Sequence, residues 1–163
     1  MISFGWSIGT FSVSGWSGAR ERFVLFSGPV IAFTGLVGLT SSALLPGLAM
    51  LTQSAFVMGI GIGIYNVHLV ARAMESAAAG EQRSTASALT SVRSLGTAFG
   101  AAIAGVVAHA AGLGDATEPA AVGHAVSAVY LFCWIPFGLN AVLMIRFLRI
   151  SLPRPEAIPA TAE

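Results

Sequence analysis

Residues 23–71 read FVLFSGPVIAFTGLVGLTSSALLPGLAMLTQSAFVMGIGIGIYNVHLVA, a 49-residue stretch between Arg22 and Arg72 with no Asp, Glu, Lys or Arg. An α-helix rises about 1.5 Å per residue, so about 20 apolar residues cross a hydrocarbon core about 30 Å thick. The stretch is too long for one crossing and suits two crossings joined by a tight turn. Turn-forming residues fall near its middle, at Ser41, Ser42 and Pro46-Gly47. The expectation is a helical hairpin over residues 23–44 and 48–71. In lipid every backbone polar group needs an internal partner, which leaves helices or closed barrels. Segment length and the lack of period-two alternation decide for helices.

Upstream, residues 1–18 form a shorter apolar segment rich in Ser and Gly. Downstream, residues 84–113 and 125–145 form two more, the last ending at Arg146. The predicted fold is therefore an all-α, polytopic transmembrane bundle of five spans within residues 1–150. A disordered cytoplasmic tail is expected over 151–163. The eight arginines test this arrangement: Arg20 and Arg22 follow the first span, Arg72, Arg83 and Arg93 surround the third loop, and Arg146, Arg149 and Arg154 follow the fifth span. The second loop has no charge, and the fourth carries only Asp115 and Glu118. With five spans all arginines fall on one side, which the positive-inside rule makes the cytoplasm. The N-terminus is then outside and the C-terminus inside a bacterial plasma membrane. An N-outside first helix with nothing ahead of it reads as the C-terminal piece of a longer protein.

Composition agrees with lipid as the solvent. The chain is 55% hydrophobic and only 9% charged, against about 25% charged residues in a typical soluble domain. A net charge of +1 provides no basic field for nucleic acid. Cys133 is the single cysteine, so neither an internal disulfide nor a cysteine zinc site is expected. No basic region precedes the first apolar residues, so they do not read as a cleavable signal peptide. Paired acids, a metal-ligand cluster and a Ser/His/Asp grouping in register are all missing, and neither an enzyme nor a cofactor is expected. The run Gly59-Ile-Gly61-Ile-Gly63 has no preceding strand and the wrong spacing for a nucleotide-binding loop.

The stretch from Arg83 to Val107, with Arg93, Leu95, Gly96 and Gly100 in an R-x-L-G-x-x-x-G pattern, resembles the penultimate helix of major facilitator superfamily transporters. It is most similar to their multidrug-exporter branches. The Gly59, Gly61, Gly63 run and the loop Gly15-Trp-Ser-Gly-Ala-Arg-Glu-Arg22 add to the resemblance. That loop is similar to a degraded copy of the family's cytoplasmic G-x-x-x-D-R-x-G-R signature; Arg20 matches its basic position, whereas Ala19 stands at the acidic one and the second Gly is absent. The resemblance implies the last five helices of a second six-helix half, with the N-terminal transmembrane half missing. It implies proton-coupled efflux of small hydrophobic compounds by alternating access, with a cavity lined by the first, third and fourth spans and with the second and fifth facing lipid. No Asp or Glu lies inside a span, and in such exporters the coupling acids lie mostly in the N-terminal half. The alternative is a non-transporting membrane fragment that serves as an anchor or assembly partner.

Within this frame Trp6, Thr10, Asn66, His68, Ser91 and Ser94 are the candidates for a substrate cavity. Intramembrane polar groups such as Asn66 and His68 are costly and mark function by default. They could equally cap neighbouring helices or reach the interface, and at about 200° apart they cannot share one cavity. Ser84, Ser87, Ser91 and Ser94 make one polar stripe, which either packs against a helix or lines the substrate path. Gly5 and Gly9, and Gly96, Gly100 and Ala104, recur every four residues as small faces expected to let helices approach closely. The loop charges Arg20, Arg22, Arg72, Glu75, Glu81, Arg83 and Arg93 are expected at the cytoplasmic face. Arg93 either reaches the headgroups or latches to Glu75 or Glu81. Trp16, beside Arg20, reads as an interfacial anchor, and Pro136 as a kink in the last helix.

Overall fold

The computed structural model describes residues 1–45, 47–78 and 80–150. Pro46 of the expected turn, Ala79 and the expected tail 151–163, with Arg154, lie outside the described residues. The chain forms α1 (Ile2–Val13), α2 (Ala19–Leu44), α3 (Leu48–Glu75), α4 (Gln82–Ala110) and α5 (Pro119–Ile150), with a single 3₁₀ turn at Leu113–Asp115. Four of these helices are long and apolar enough to cross a membrane, so the protein has the architecture of a multi-pass helical membrane protein. The helix of the second span extends back beyond the span to Ala19, and that of the third forward beyond it to Glu75, because Arg and Glu are good helix formers at the wet ends. Pro119 takes the first position of α5, where its missing N–H costs nothing. α5 continues through Pro136, and α2 through Pro29, a proline that drew no attention in the sequence.

The first span is the main departure from expectation. α1 has 12 residues and stops at Val13 rather than Gly18. At about 1.5 Å per residue it is about 18 Å long, short of the hydrocarbon thickness. The helix ends here because Gly15 and Gly18 have φ of +95° and +65°, a conformation that only glycine adopts without strain. These two glycines turn the chain into α2.

α3 is the centre of the arrangement. Along it, Gly59 and Gly63 lie one turn apart and meet α1, while Gly61, about 200° around, meets α2. A methyl added at Gly59 would overlap the Ile2 carbonyl, and one at Gly63 the Trp6 carbonyl. A methyl at Gly61 would overlap the Ala32 backbone, 2.7 Å from its Cα. The partners reciprocate: Gly5 and Gly9 of α1 abut the backbone at Phe56 and Ile60, and Gly28 and Gly35 of α2 abut Tyr65 and Met58. The same contacts set direction. α1 runs parallel to α3, and α2 antiparallel to it.

α2 lies between α3 and α5 and is the most enclosed helix, with Leu25, Ala32, Leu36 and Leu39 buried. The expectation that it faces lipid is therefore corrected: its small face of Gly28, Ala32 and Gly35 draws α3 onto one side, and α5 covers another. Gly123 abuts the Ala43 carbonyl, Phe33 and Trp134 meet edge to face with centroids 5.4 Å apart, and Trp134 Nε1 donates to Thr40 Oγ1 at 3.3 Å. This register makes α5 antiparallel to α2. It brings Arg20, Arg22, Arg72, Arg83 and Arg146 to one end of the bundle and Asp115 and Glu118 to the other.

α4 is the opposite extreme, a 29-residue helix with no buried residue. A Cβ at Gly96 or Gly100 would meet nothing within 4 Å. The close approach expected at Gly96, Gly100 and Ala104 is not made among the described residues, because those positions line an open groove toward α5. The two sets of glycines thus separate in a stability test. Gly61→Leu forces a side chain into backbone and is expected to cost about 1–3 kcal/mol or more. Gly100→Leu in the same chain should leave the detergent melting temperature within about a degree or two. Thermal unfolding followed by circular dichroism of both variants reads the difference.

Candidate functional site

The sequence candidates do not converge on one enclosed pocket. Trp6 and Thr10 lie on α1, where Thr10 Oγ1 donates to the Gly63 carbonyl at 3.3 Å. Trp6 touches Gly59 and Gly63 through its backbone, and the residue is 42% exposed. Asn66 is half-buried on α3, near the side facing α1 by its spacing from Gly63. His68 is buried, on the opposite side. Ser91 and Ser94 are exposed on α4. Thr90 and Thr97 donate to the carbonyls of Ala86 and Arg93 one turn back, and among the described residues no side-chain hydrogen bond joins α4 to another helix.

Two separate surfaces result. On one, the exposed serines of α4 form a polar strip down its first three turns. On the other, Phe99, Gly100 and Ile103 of α4 face Phe132, Pro136 and Leu139 of α5 across an apolar groove of about 450 Å³. Val92, Leu95, Phe99, Ile103 and Val106 follow one another at three- and four-residue steps and are all exposed. α4 is therefore amphipathic along its length, with neither face buried among the described residues. A second apolar cavity, about 370 Å³, lies among Ile2, Leu36, Met58, Tyr130 and Phe137 where four helices meet. Among the described residues no group of three or more His, Cys, Asp or Glu side chains is placed to hold a metal ion.

The charged end of the bundle holds a feature the sequence left unread. Arg72, near the end of α3, grips Glu21, at the start of α2, through Nε at 2.5 Å and Nη2 at 3.2 Å. The bidentate geometry matches the planar guanidinium to the carboxylate, and both groups are half-buried. They stand just outside the uncharged stretch 23–71. The Arg72 hydrogen bonds hold the Glu21 carboxyl below its usual range. The signature that the loop resembles has its acid at the position of Ala19, whereas here the acid comes two residues later, at Glu21. The expected latch of Arg93 to Glu75 or Glu81 is absent among the described residues. Arg93 stands twelve residues, about 18 Å along the helix, beyond Glu81. Its side chain is exposed. Arg20 stands 6.0 Å from the Trp16 ring centroid, at the edge of cation–π range.

Comparison with known proteins bears on this architecture. No family model matches the chain, and no solved structure matches it. Over 120 residues the chain is 32% identical to each of two Mycobacterium tuberculosis proteins, from strains CDC 1551 / Oshkosh and ATCC 25618 / H37Rv, both named "Probable multidrug-efflux transporter". The matched region covers 70% of this chain and 26% of each relative, so the chain spans about a quarter of the length of the curated relatives it matches. Both are named as transporters.

The Glu21–Arg72 pair is expected to carry measurable stability. Removing one partner strands a half-buried charge, so Glu21→Gln and Arg72→Ala should each cost about 1–3 kcal/mol. The double variant should lose little more than the worse single one. Chemical unfolding of the three variants in one detergent gives the coupling energy directly.

Proposed function

We propose that this chain is the C-terminal bundle of a secondary active transporter of the major facilitator type. In this reading it exports small hydrophobic compounds from the bacterial cell by alternating access. The observation that carries the reading is the 32% identity to two proteins named as multidrug-efflux transporters. Their greater length leaves room for a second bundle, the missing N-terminal half. The amphipathic α4 supports the same view: an exposed stripe of Ser87, Ser91 and Ser94 suits a water-filled path, and an exposed apolar stripe suits lipid or another helix. Trp6, Thr10, Asn66, Ser91 and Ser94 would line the wall that this bundle presents to the substrate. Gly96, Gly100 and Ala104 would seat a helix from the rest of the protein. No acid lies within the spans, so the group that couples transport to protons is assigned to the other half.

The arginine-bearing end is placed in the cytoplasm by the positive-inside rule, with the C-terminus inside and the first helix entering from outside. Single cysteines introduced at Ser76 and Ala116, in a Cys133→Ser background, test this orientation. A membrane-impermeant thiol reagent should label the Ala116 site in intact cells and the Ser76 site only after permeabilisation. The opposite pattern removes the proposed topology.

Transport itself is read in the full-length protein as efflux of a fluorescent hydrophobic dye. Asn66→Ala and Ser94→Leu are expected to lower efflux several-fold at unchanged protein level. Gly100→Leu, silent for the stability of this chain alone, should impair the full-length transporter. Unchanged efflux in all three variants would count against the proposed cavity wall.

A further inference from the structure

His68 is 6% exposed, and its Nε2 is buried with no hydrogen-bond partner. An unpaired polar nitrogen inside a span is expensive and calls for a role. The residue lies one turn before Arg72 on the face of α3 that meets α2, in the series Gly61, Tyr65, His68, Arg72. The contacts of Gly28 with Tyr65 and of Glu21 with Arg72 bracket it in the antiparallel register. They set His68 level with Val24 and Leu25, both buried and apolar. Among the described residues no hydrogen-bond partner reaches its Nε2. A positive charge on its ring nevertheless acts on the Glu21 carboxylate, one turn away.

We propose that His68 is a proton-binding site that loosens the Glu21–Arg72 clasp between α2 and α3. With the imidazole neutral, Arg72 pairs with Glu21 and holds the two helix ends together. A proton taken from water at the charged end converts Nε2 or its ring partner into an N–H, leaving the ring cationic. That cation attracts Glu21 and repels Arg72, four residues on. Arg72 has a second acid available on its own helix, Glu75, whose charge already acts on it. The guanidinium can therefore exchange an interhelical partner for an intrahelical one, which is a two-state element of the kind that histidine protonation switches.

The other charges around the site leave this logic intact. α2 contributes Arg20 and Arg22, and Arg22 also acts on Glu21. α1 has no ionisable side chain. α4 brings Glu81 and Arg83 at its start, and α5 brings Arg146, exposed at the same end. Tyr65 lies on the same face of α3, three residues before His68. The response belongs to the bundle itself and does not require transport, so its failure and that of the transport reading are separate results.

The experiment uses this chain in lipid nanodiscs with Cys133→Ser, His109→Asn and His124→Asn, which leaves His68 as the single histidine. Spin labels at Ser17→Cys and Ser76→Cys, both exposed positions near the clasp, report the separation of the α2 and α3 ends by pulsed electron resonance. Between about pH 8 and pH 5, where histidine titrates, the mean distance should lengthen by about 5 Å, one helical turn. His68→Gln should hold the short distance throughout. Glu21→Gln, which has no ionised carboxylate to clasp, should give the long distance at both ends. A distance that does not change with pH in the starting chain, or a pH response retained in His68→Gln, overturns the proposal. Should His68→Gln fail to fold, nitrogen-15 resonances of the His68 ring in the starting chain decide. A ring that keeps one protonation state from pH 8 to pH 5 overturns the proposal, and one that titrates together with the label distance supports it.

Discussion

Backbone meets backbone on both sides of α3, and the rest of the bundle follows from that. Between apolar helices in lipid there is little hydrophobic force, so association depends on close van der Waals contact. Glycine at 59, 61 and 63 removes side chains from two nearly opposite faces of one helix. α1 and α2 can then approach until carbonyl oxygens occupy the space of a missing Cβ. The opposing faces, Gly5 and Gly9 on α1 and Gly28, Ala32 and Gly35 on α2, are small for the same reason. A single substitution at Gly61 would push α2 outward along several turns, because both backbones are rigid there.

The close approach of α2 and α3 has a consequence at their charged ends. It brings Glu21 within reach of Arg72 and lays His68 against the apolar side of α2. Three polar groups therefore share one seam, the outer two paired and the inner one with its Nε2 unpartnered among the described residues. α5 joins the assembly differently, through the Phe33–Trp134 contact and the Trp134–Thr40 hydrogen bond. These side-chain contacts need more room than the glycine seams, and α5 leaves apolar cavities beside it.

α4 shows what the seams do not provide. Its polar and apolar stripes are both well formed, and both are open. Gly96 and Gly100 have the same spacing as Gly5 and Gly9, yet no helix lies on them. Spacing of small residues states that a close approach is permitted. Only a helix in contact can use that permission, and among the described residues α5 stands across a groove from Gly96 and Gly100.

Much of the fold was legible in the residues, and the reasons are physical. The bilayer demands long uncharged helices, so the 49 residues without a charge announced a hairpin whose ends at Leu44 and Leu48 the structure reproduces. The arginine pattern likewise foretold which ends gather together. The end of α1 was misplaced because apolar composition continues past Val13, whereas the turn depends on the positive φ of Gly15 and Gly18. The site was less legible. One-dimensional spacing put His68 and Asn66 on different faces, but it could not say that Glu21, 51 positions before Arg72, would become its partner. By itself the sequence determined the solvent, the helices and their order, because each of these is a local response to lipid. The tertiary structure decided which glycines carry contacts, which acid meets which arginine and which histidine is left unpaired, because each depends on the register between helices remote in the chain.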